Sequence, residues 1–422
     1  MKHFKLNAIA GLMIKTFLFL IIILPSGTVG NLNVKMLSML LLIISVSVSI
    51  INNGVVNKNS IKLFFVFILS MSFVLINYAS SSSIAIYRGY ATTEGLLFTS
   101  YFLSTIVLLI SILEGIISKK EIIKTIFYSC ILYSIIKIAL ITLSAIGVIS
   151  IYFISDFIYQ SYGIKPMLLP ITDTITRFQL ANDYIVCFAL YFILYRGEIL
   201  DFLNKKLRTA FTIILICGVL ISFSRYMILL LVIGAIVKIV CIRKISPKGV
   251  LASAAIFAIS LSVYISNADS INDTIYLRFA SDANDASDAT RSIQVECLSR
   301  AFNSSPLFGH GGLGDFSSTC PGPNGAEFSY EVQYLGFLYR FGIIQTIMIA
   351  LVYFLQYKLS APDRLLRKYN IPAVIAFLCW MTIGFFNPYL ISGYASVITV
   401  LCVCFTGKKE KMLYKEPHDV AP

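Results

Sequence analysis

Charge is scarce in this sequence. Only 13% of its 422 residues are Asp, Glu, Lys or Arg, where soluble domains carry roughly 25%. Hydrophobic residues make up 58%. So little charge excludes a soluble fold with one core, because the outside must be apolar too. Histidine is as scarce. His3 and His418 sit near the two ends, and His310 stands alone among glycines. No cysteine spacing resembles a zinc site, so neither metal nor cofactor is expected. There is no Walker motif, no Asp-x-Asp metal motif and no dinucleotide fingerprint, which leaves nucleotide-driven transport and cytoplasmic glycosyl transfer without support. No internal repeat or heptad pattern is present. No convincing small-residue cleavage site follows the first apolar run, so that run reads as a retained helix.

What the sequence does have is apolar runs that reach, again and again, the ~20 residues needed to cross a bilayer. They are continuous rather than alternating, which favours helices over a barrel. The fold expected is all-α, a polytopic membrane bundle of about twelve spans. They fall near residues 9–24, 34–51, 62–79, 95–117, 125–149, 179–195, 210–222, 226–241, 250–266, 333–356, 371–386 and 389–405. Residues 210–241 could instead form one helix. That helix would be ~48 Å long and would hold Arg225 in mid-membrane, so a turn at Ser-Phe-Ser-Arg, 222–225, is preferred.

The net charge of +13 does not mark a nucleic-acid binder, because the basic residues fall between the runs and form no face. Their placement instead sets an orientation. Alternate ends carry 22 Lys and Arg on one side and nine on the other. The positive-inside rule then puts both termini in the cytoplasm, and the chain is read as a multi-pass membrane protein. Residues 1–266 form the first nine spans, with a medium outward loop near 150–178. Residues 267–332 form a large outward loop, and 333–422 hold the last three spans and a cytoplasmic tail. The large loop is acidic, with nine Asp or Glu against three Arg. Cys297 and Cys320 lie in it and could pair if that side is oxidising. The other cysteines lie in or beside spans, as apolar packing residues.

Chemistry in such a protein needs water, polar groups and a fixed backbone, and residues 287–342 are the longest stretch that offers all three. Arg177, Arg225 and Arg291 stand on the side poor in positive charge. Arginine binds phosphate oxygens in a bidentate fork, so the three suit a lipid pyrophosphate; each could equally pair with a loop acid or snorkel. Glu331 precedes the tenth span. It reads either as an anion at a helix N-terminus or as a general base whose pKa burial raises. The glycines 309, 311, 312 and 314 allow a tight backbone close to a ligand or a neighbouring helix. Arg300, His310, Tyr334 and Arg340 complete the polar candidates of this stretch.

At these residues the chain resembles the O-antigen polymerase (Wzy) family, within a wider group that includes the O-antigen ligases. The Ser-Phe-Ser-Arg turn looks like that group's Ser-x-Ser-Arg. Arg291 followed by Pro306-Leu307-Phe308-Gly309-His310-Gly311 looks like its arginine and Pro-x-Phe-Gly-x-Gly run. Residues 331–342 look like its passage into the next helix. Arg177 with Asn182 is similar to an arginine-then-asparagine pair before an earlier span. The resemblance implies a place in a bacterial inner membrane and glycosyl transfer in its outward, periplasmic compartment. The donor would be a growing glycan on undecaprenyl pyrophosphate and the acceptor a lipid-linked repeat unit. Glu331, Arg291 and Arg225 would be catalytic, with Arg177, Asn182, Arg300, His310, Tyr334 and Arg340 binding substrate. It also implies a chain-length regulator and a flippase as partners. Ligases of the group usually keep histidine then asparagine where this chain has Glu331-Val332, which favours the polymerase. A ligase, or a flippase with charges along its depth, are the alternatives.

Reporter fusions test the orientation. Fusions at Asn57, Lys120, Lys205 and Lys409 should report cytoplasm, and those at Gly163 and Asn324 the outer side. A cytoplasmic signal at Asn324 would overturn the proposed side of the site.

Overall fold

The structure, a computed structural model, describes residues 2–29, 32–84, 86–170, 176–222, 224–241, 282–323, 326–361 and 370–407. Five long helices open the chain: α1 (Lys2–Ile23), α2 (Val34–Asn53), α3 (Lys58–Ser82), α4 (Arg88–Leu113) and α5 (Lys119–Ala145). Side chains cap several of them. Asn33, Asn57 and Ser118 accept backbone N–H bonds from the first turns of α2, α3 and α5. After α5 come a short helix α6 (Ile151–Tyr162) and the central helix α7 (Asp183–Tyr195). Then follow α8 (Lys205–Ser222), α9 (Arg225–Cys241), α10 (Asp282–Phe302), α11 (Gln333–Ser360), α12 (Ile371–Thr382) and α13 (Gly393–Cys404).

Each expected span within the described residues coincides with a helix; the ninth, 250–266, lies outside them. Among the described residues six helices, α1 to α5 and α11, are long and apolar enough to cross a membrane, out of the twelve crossings expected. The 13 residues of α7 make a helix of only ~20 Å, short of a ~30 Å hydrocarbon core. Its surroundings explain this: every side chain from Asp183 to Ile193 is buried, and α7 packs against α5, α8, α9 and α13. It is a core helix of the bundle. The all-α expectation also meets two antiparallel ribbons, β1 (Thr28–Val29) with β2 (Leu32–Asn33) and β3 (Met167–Pro170) with β4 (Thr176–Gln179). In the second, Leu169 lies opposite Arg177. Pairing satisfies backbone groups that an irregular loop against an apolar bundle would leave open.

The break at 222–225 is present: α8 stops at Ser222 and α9 starts at Arg225. A second break sits inside α11, where Gly342 has φ 66° and ψ −178°. Residues 306–312 fill that break. Pro306 O accepts from Ile343 N at 2.9 Å, and Tyr339 O accepts from His310 N at 3.1 Å. The two backbones touch. A Cβ on Gly342 would stand 2.3 Å from Leu307 O, and one on Gly309 would stand 2.2 Å from Arg340 O. The glycine run is thus a seam against neighbouring helices, fixed further where Gly314 N donates to the buried Glu94 of α4 at 2.6 Å.

Gly342→Ala should therefore cost more than ~2 kcal/mol, from left-handed backbone strain and from overlap with the seam. Thermal melting of the detergent-solubilised protein measures this, and an unchanged midpoint would refute the seam.

Candidate active site

The polar residues of three segments meet at one end of the bundle. The helix α10 brings the first set. Asp288, Arg291 and Gln294 recur every three residues and so share one helix face. Leu298 docks that helix into a small cluster with Cys320, Tyr330, Val332 and Tyr339. Cys297 and Cys320 are joined in a disulfide, with Cα atoms 5.8 Å apart, which ties α10 to the loop that leads into α11. Gln294, itself buried, accepts the backbone N–H of Glu331 at 2.9 Å. The side chain of Glu331 is set against α10 by that bond.

The charges form a row. Arg225 reaches Asp288 with both terminal nitrogens, at 3.3 and 3.5 Å. Arg291 donates to Asp288 Oδ1, one of the two oxygens that Arg225 reaches, at 2.7 Å through Nη1. Its Nε lies 2.8 Å from Glu331 Oε2, but the N–H is not aligned with that oxygen, so the contact is an ion pair and not a hydrogen bond. Asp288 is the most open member, with 54% of its side chain exposed, against 36% for Glu331 and 23% for Arg291. Burial holds the Glu331 carboxyl above the usual carboxylate range, while Arg291 pulls it down.

Arg177, on β4, joins from the side. Its Nε donates to Ser222 O at 2.9 Å, and Nη2 donates to Gln179. Burial lowers its pKa, and the charge of Arg225 adds to the lowering. Tyr389, in the turn between α12 and α13, packs its ring against Tyr184 of α7, with centroids 5.2 Å apart. Burial raises its phenol pKa; Arg177 lowers it and Glu331 raises it. Arg177, Arg225, Arg291 and Glu331 are thus brought to one end of the bundle.

The other expected site residues make contacts elsewhere in the protein. Asn182 is fully buried, and its amide donates to Ile21 O, Ile22 O and Leu24 O, closing the C-terminus of α1. Arg340 is buried and paired with Glu94 at 3.0 Å; it also donates to Phe328 O at 2.8 Å. Tyr334 donates to Met381 O at 2.7 Å. The Nε2 of His310 lies 2.8 Å from Ala301 O, a group that only accepts, so Nε2 carries the proton, and the ring stacks on Tyr339. Arg300 lies nine residues beyond Arg291 and is paired with Glu296 in solvent.

Sequence reasoning missed Asp288, Gln294 and Tyr389. The first two carried a signal, three-residue spacing about Arg291. Tyr389 carried none, because only the fold sets its ring against Tyr184. Among the described residues no group of His, Cys, Asp and Glu could hold a metal ion.

Residues 210–350 match the O-antigen ligase family. The family model, Wzy_C, spans α8, α9, α10 and the first half of α11, and so takes in Arg225, Asp288, Arg291 and Glu331. No curated protein matches the chain. The match supports the wider O-antigen ligase and polymerase group, and with it a glycosyltransferase-like enzyme of lipopolysaccharide biosynthesis in a bacterial membrane. Lipid bilayer and lipid-linked glycan are the partners that this coarser reading carries.

The disulfide has a direct check. Under denaturing, non-reducing conditions Cys297 and Cys320 should resist alkylation, and mass spectrometry should recover their peptides as a linked pair. Full labelling of both without reductant would show the bond to be absent.

Proposed function

We propose that the protein is an O-antigen polymerase. It would transfer the growing glycan from undecaprenyl pyrophosphate to a lipid-linked repeat unit on the periplasmic side, with a chain-length regulator and a flippase as partners. The row Arg225, Asp288, Arg291 and Glu331 carries this reading. The fork of Arg225 and one nitrogen of Arg291 converge on one half-exposed carboxylate. That is the geometry a phosphate group of the donor would take over, with Asp288 swinging into solvent. Arg177 would add a third donor.

The reaction balances on these residues. The acceptor hydroxyl oxygen bonds to the anomeric carbon of the donor sugar, and its proton goes to the Glu331 carboxylate. The bond from that carbon to the pyrophosphate oxygen breaks, and its electron pair leaves with the pyrophosphate. Arg225 and Arg291 stabilise the negative charge that builds there. The proton acceptor needs its pKa closer to neutrality than a free carboxylate, and burial of Glu331 works in that direction. Glutamate where ligases usually keep histidine favours polymerase over ligase, although the matched family is described by the ligase name. The gathering of charge at one end speaks against a flippase.

Two experiments separate these readings. Deleting the gene and resolving surface lipopolysaccharide on a gel should leave core plus one repeat unit; bare core would mean a ligase, and repeat units trapped inside a flippase. In reconstituted protein Glu331→Gln should insert normally and lose about 10²–10⁴-fold in turnover. Near-normal polymerisation by that variant would remove Glu331 from the mechanism. Arg291→Ala withdraws the cation that favours the ionised carboxylate. The Glu331 pKa should then rise, and the acid limb of the rate profile should move to higher pH. Arg291→Lys keeps the charge, so the limb should stay near its place while donor binding weakens through loss of the fork.

A further inference from the structure

Beneath the arginines lies a buried ion pair that the proposed reaction does not use. Lys137 of α5 and Asp183 of α7 have side chains 3% and 1% exposed and stand 2.8 Å apart. Both carboxylate oxygens are taken. Oδ1 accepts from the Tyr133 hydroxyl at 3.0 Å, and Oδ2 also accepts the Leu180 N–H at 2.9 Å. Lys137 donates further to Ser222 Oγ at 2.7 Å and to Gly218 O at 3.3 Å. Packing alone does not call for such a pair, since apolar residues of similar volume often serve a core as well. A buried charge in an apolar bundle more often marks a function.

What the pair grips is informative. Lys137 fixes the last turn of α8, and Asp183 fixes Leu180, the residue after β4. Those are the two places on which Arg177 rests: Ser222 O accepts its Nε, and Gln179 accepts its Nη2. Among the described residues, Nη1 of Arg177 meets no acceptor. Among the described residues the guanidinium is therefore held along one edge only.

We propose that Lys137, through Asp183 and Ser222, is a positioning residue that aims Arg177 at the anionic group of the donor. This rests on the proposed function, in which Arg177 binds the donor pyrophosphate. Lys137 itself touches no substrate. It sets the spacing between the end of α8 and the strand that carries Arg177, and so the direction of the guanidinium's other edge.

The test uses the full-length protein reconstituted with purified lipid-linked donor and acceptor. Donor and acceptor KM and turnover are measured for Ser222→Ala, Lys137→Met and Arg177→Ala, and for each of the first two combined with Arg177→Ala. Ser222→Ala removes only the hydroxyl and leaves both the ion pair and the Ser222 carbonyl, so it decides the matter if Lys137→Met fails to insert. The expected result is a rise in donor KM of at least about fivefold for Ser222→Ala and Lys137→Met, in line with loss of a bond to a charged group. Acceptor KM should stay unchanged, and neither substitution should add to the defect of Arg177→Ala. Defects that add to that of Arg177→Ala, or that raise both KM values alike, would show a merely structural pair and overturn the inference. An Arg177→Ala variant with unchanged donor KM would instead remove Arg177 from the proposed function, a separate failure read from the single variant.

Discussion

A backbone carbonyl or amide inside an apolar bundle has no water to bond with, so the protein itself must supply each partner. Much of this architecture follows from that constraint. The break at Gly342 would strand several groups of α11, and residues 306–312 enter the gap to take them up. The end of α1 would expose carbonyls, and Asn182 closes it. Tyrosines repeat the device between helices: Tyr191 donates to Pro372 O, Tyr195 to Leu231 O and Tyr353 to Leu390 O. Each phenol pins one helix to a carbonyl of another helix or, for Leu390, of the turn between α12 and α13, while its ring fills the core. These ties hold short helices such as α7 in place, since their length alone would not fix them in a membrane.

The same constraint sorts the charged residues into two kinds. Glu94 with Arg340, and Lys137 with Asp183, are buried pairs whose partners are all within the protein. They are internal fixtures. Removing one partner would leave an uncompensated charge, at about 3–5 kcal/mol. The row from Arg225 to Glu331 differs in being half open, with one carboxylate shared by two arginines. A shared, exposed partner is readily exchanged for a better anion; a buried and fully bonded one is not. That contrast, more than the presence of arginine as such, separates the candidate site from the scaffold.

The places of the helices were legible in the sequence because apolar runs of this length have few other uses. The turn at 222–225 was legible for an electrostatic reason, the cost of Arg225 in mid-membrane. The glycine run was readable as a close backbone approach, though its partner, the broken helix α11, was not. Helix length was harder to read. Residues 183–195 are as apolar as a spanning segment, and only the packing of four neighbours shows them to be a core helix. The roles of single polar residues were least legible. Asn182, His310 and Arg340 sit beside the site residues in sequence, yet their partners are up to 246 residues away, as with Arg340 and Glu94. Spacing along a helix finds neighbours on one face, and so could have found Asp288; it cannot find Tyr389.

The pairing of Arg291 with Glu331 bears on how a base can wait beside an arginine clamp without being spent. In the resting protein the carboxylate is compensated, which limits the penalty of its partial burial. In the proposed reaction the donor phosphate competes for Arg291. Asp288 can retreat into water when displaced. Glu331 is held from its own backbone by Gln294 and is less free to follow. It would be left less compensated at the moment the acceptor hydroxyl arrives, and so more basic. Donor binding would then prepare the base. Hydrolysis or acceptor activation ahead of the donor would be disfavoured, because until then Arg291 keeps the carboxylate a weaker proton acceptor than burial alone would make it. One arginine would thus order the two substrates by electrostatics alone, with no moving domain required.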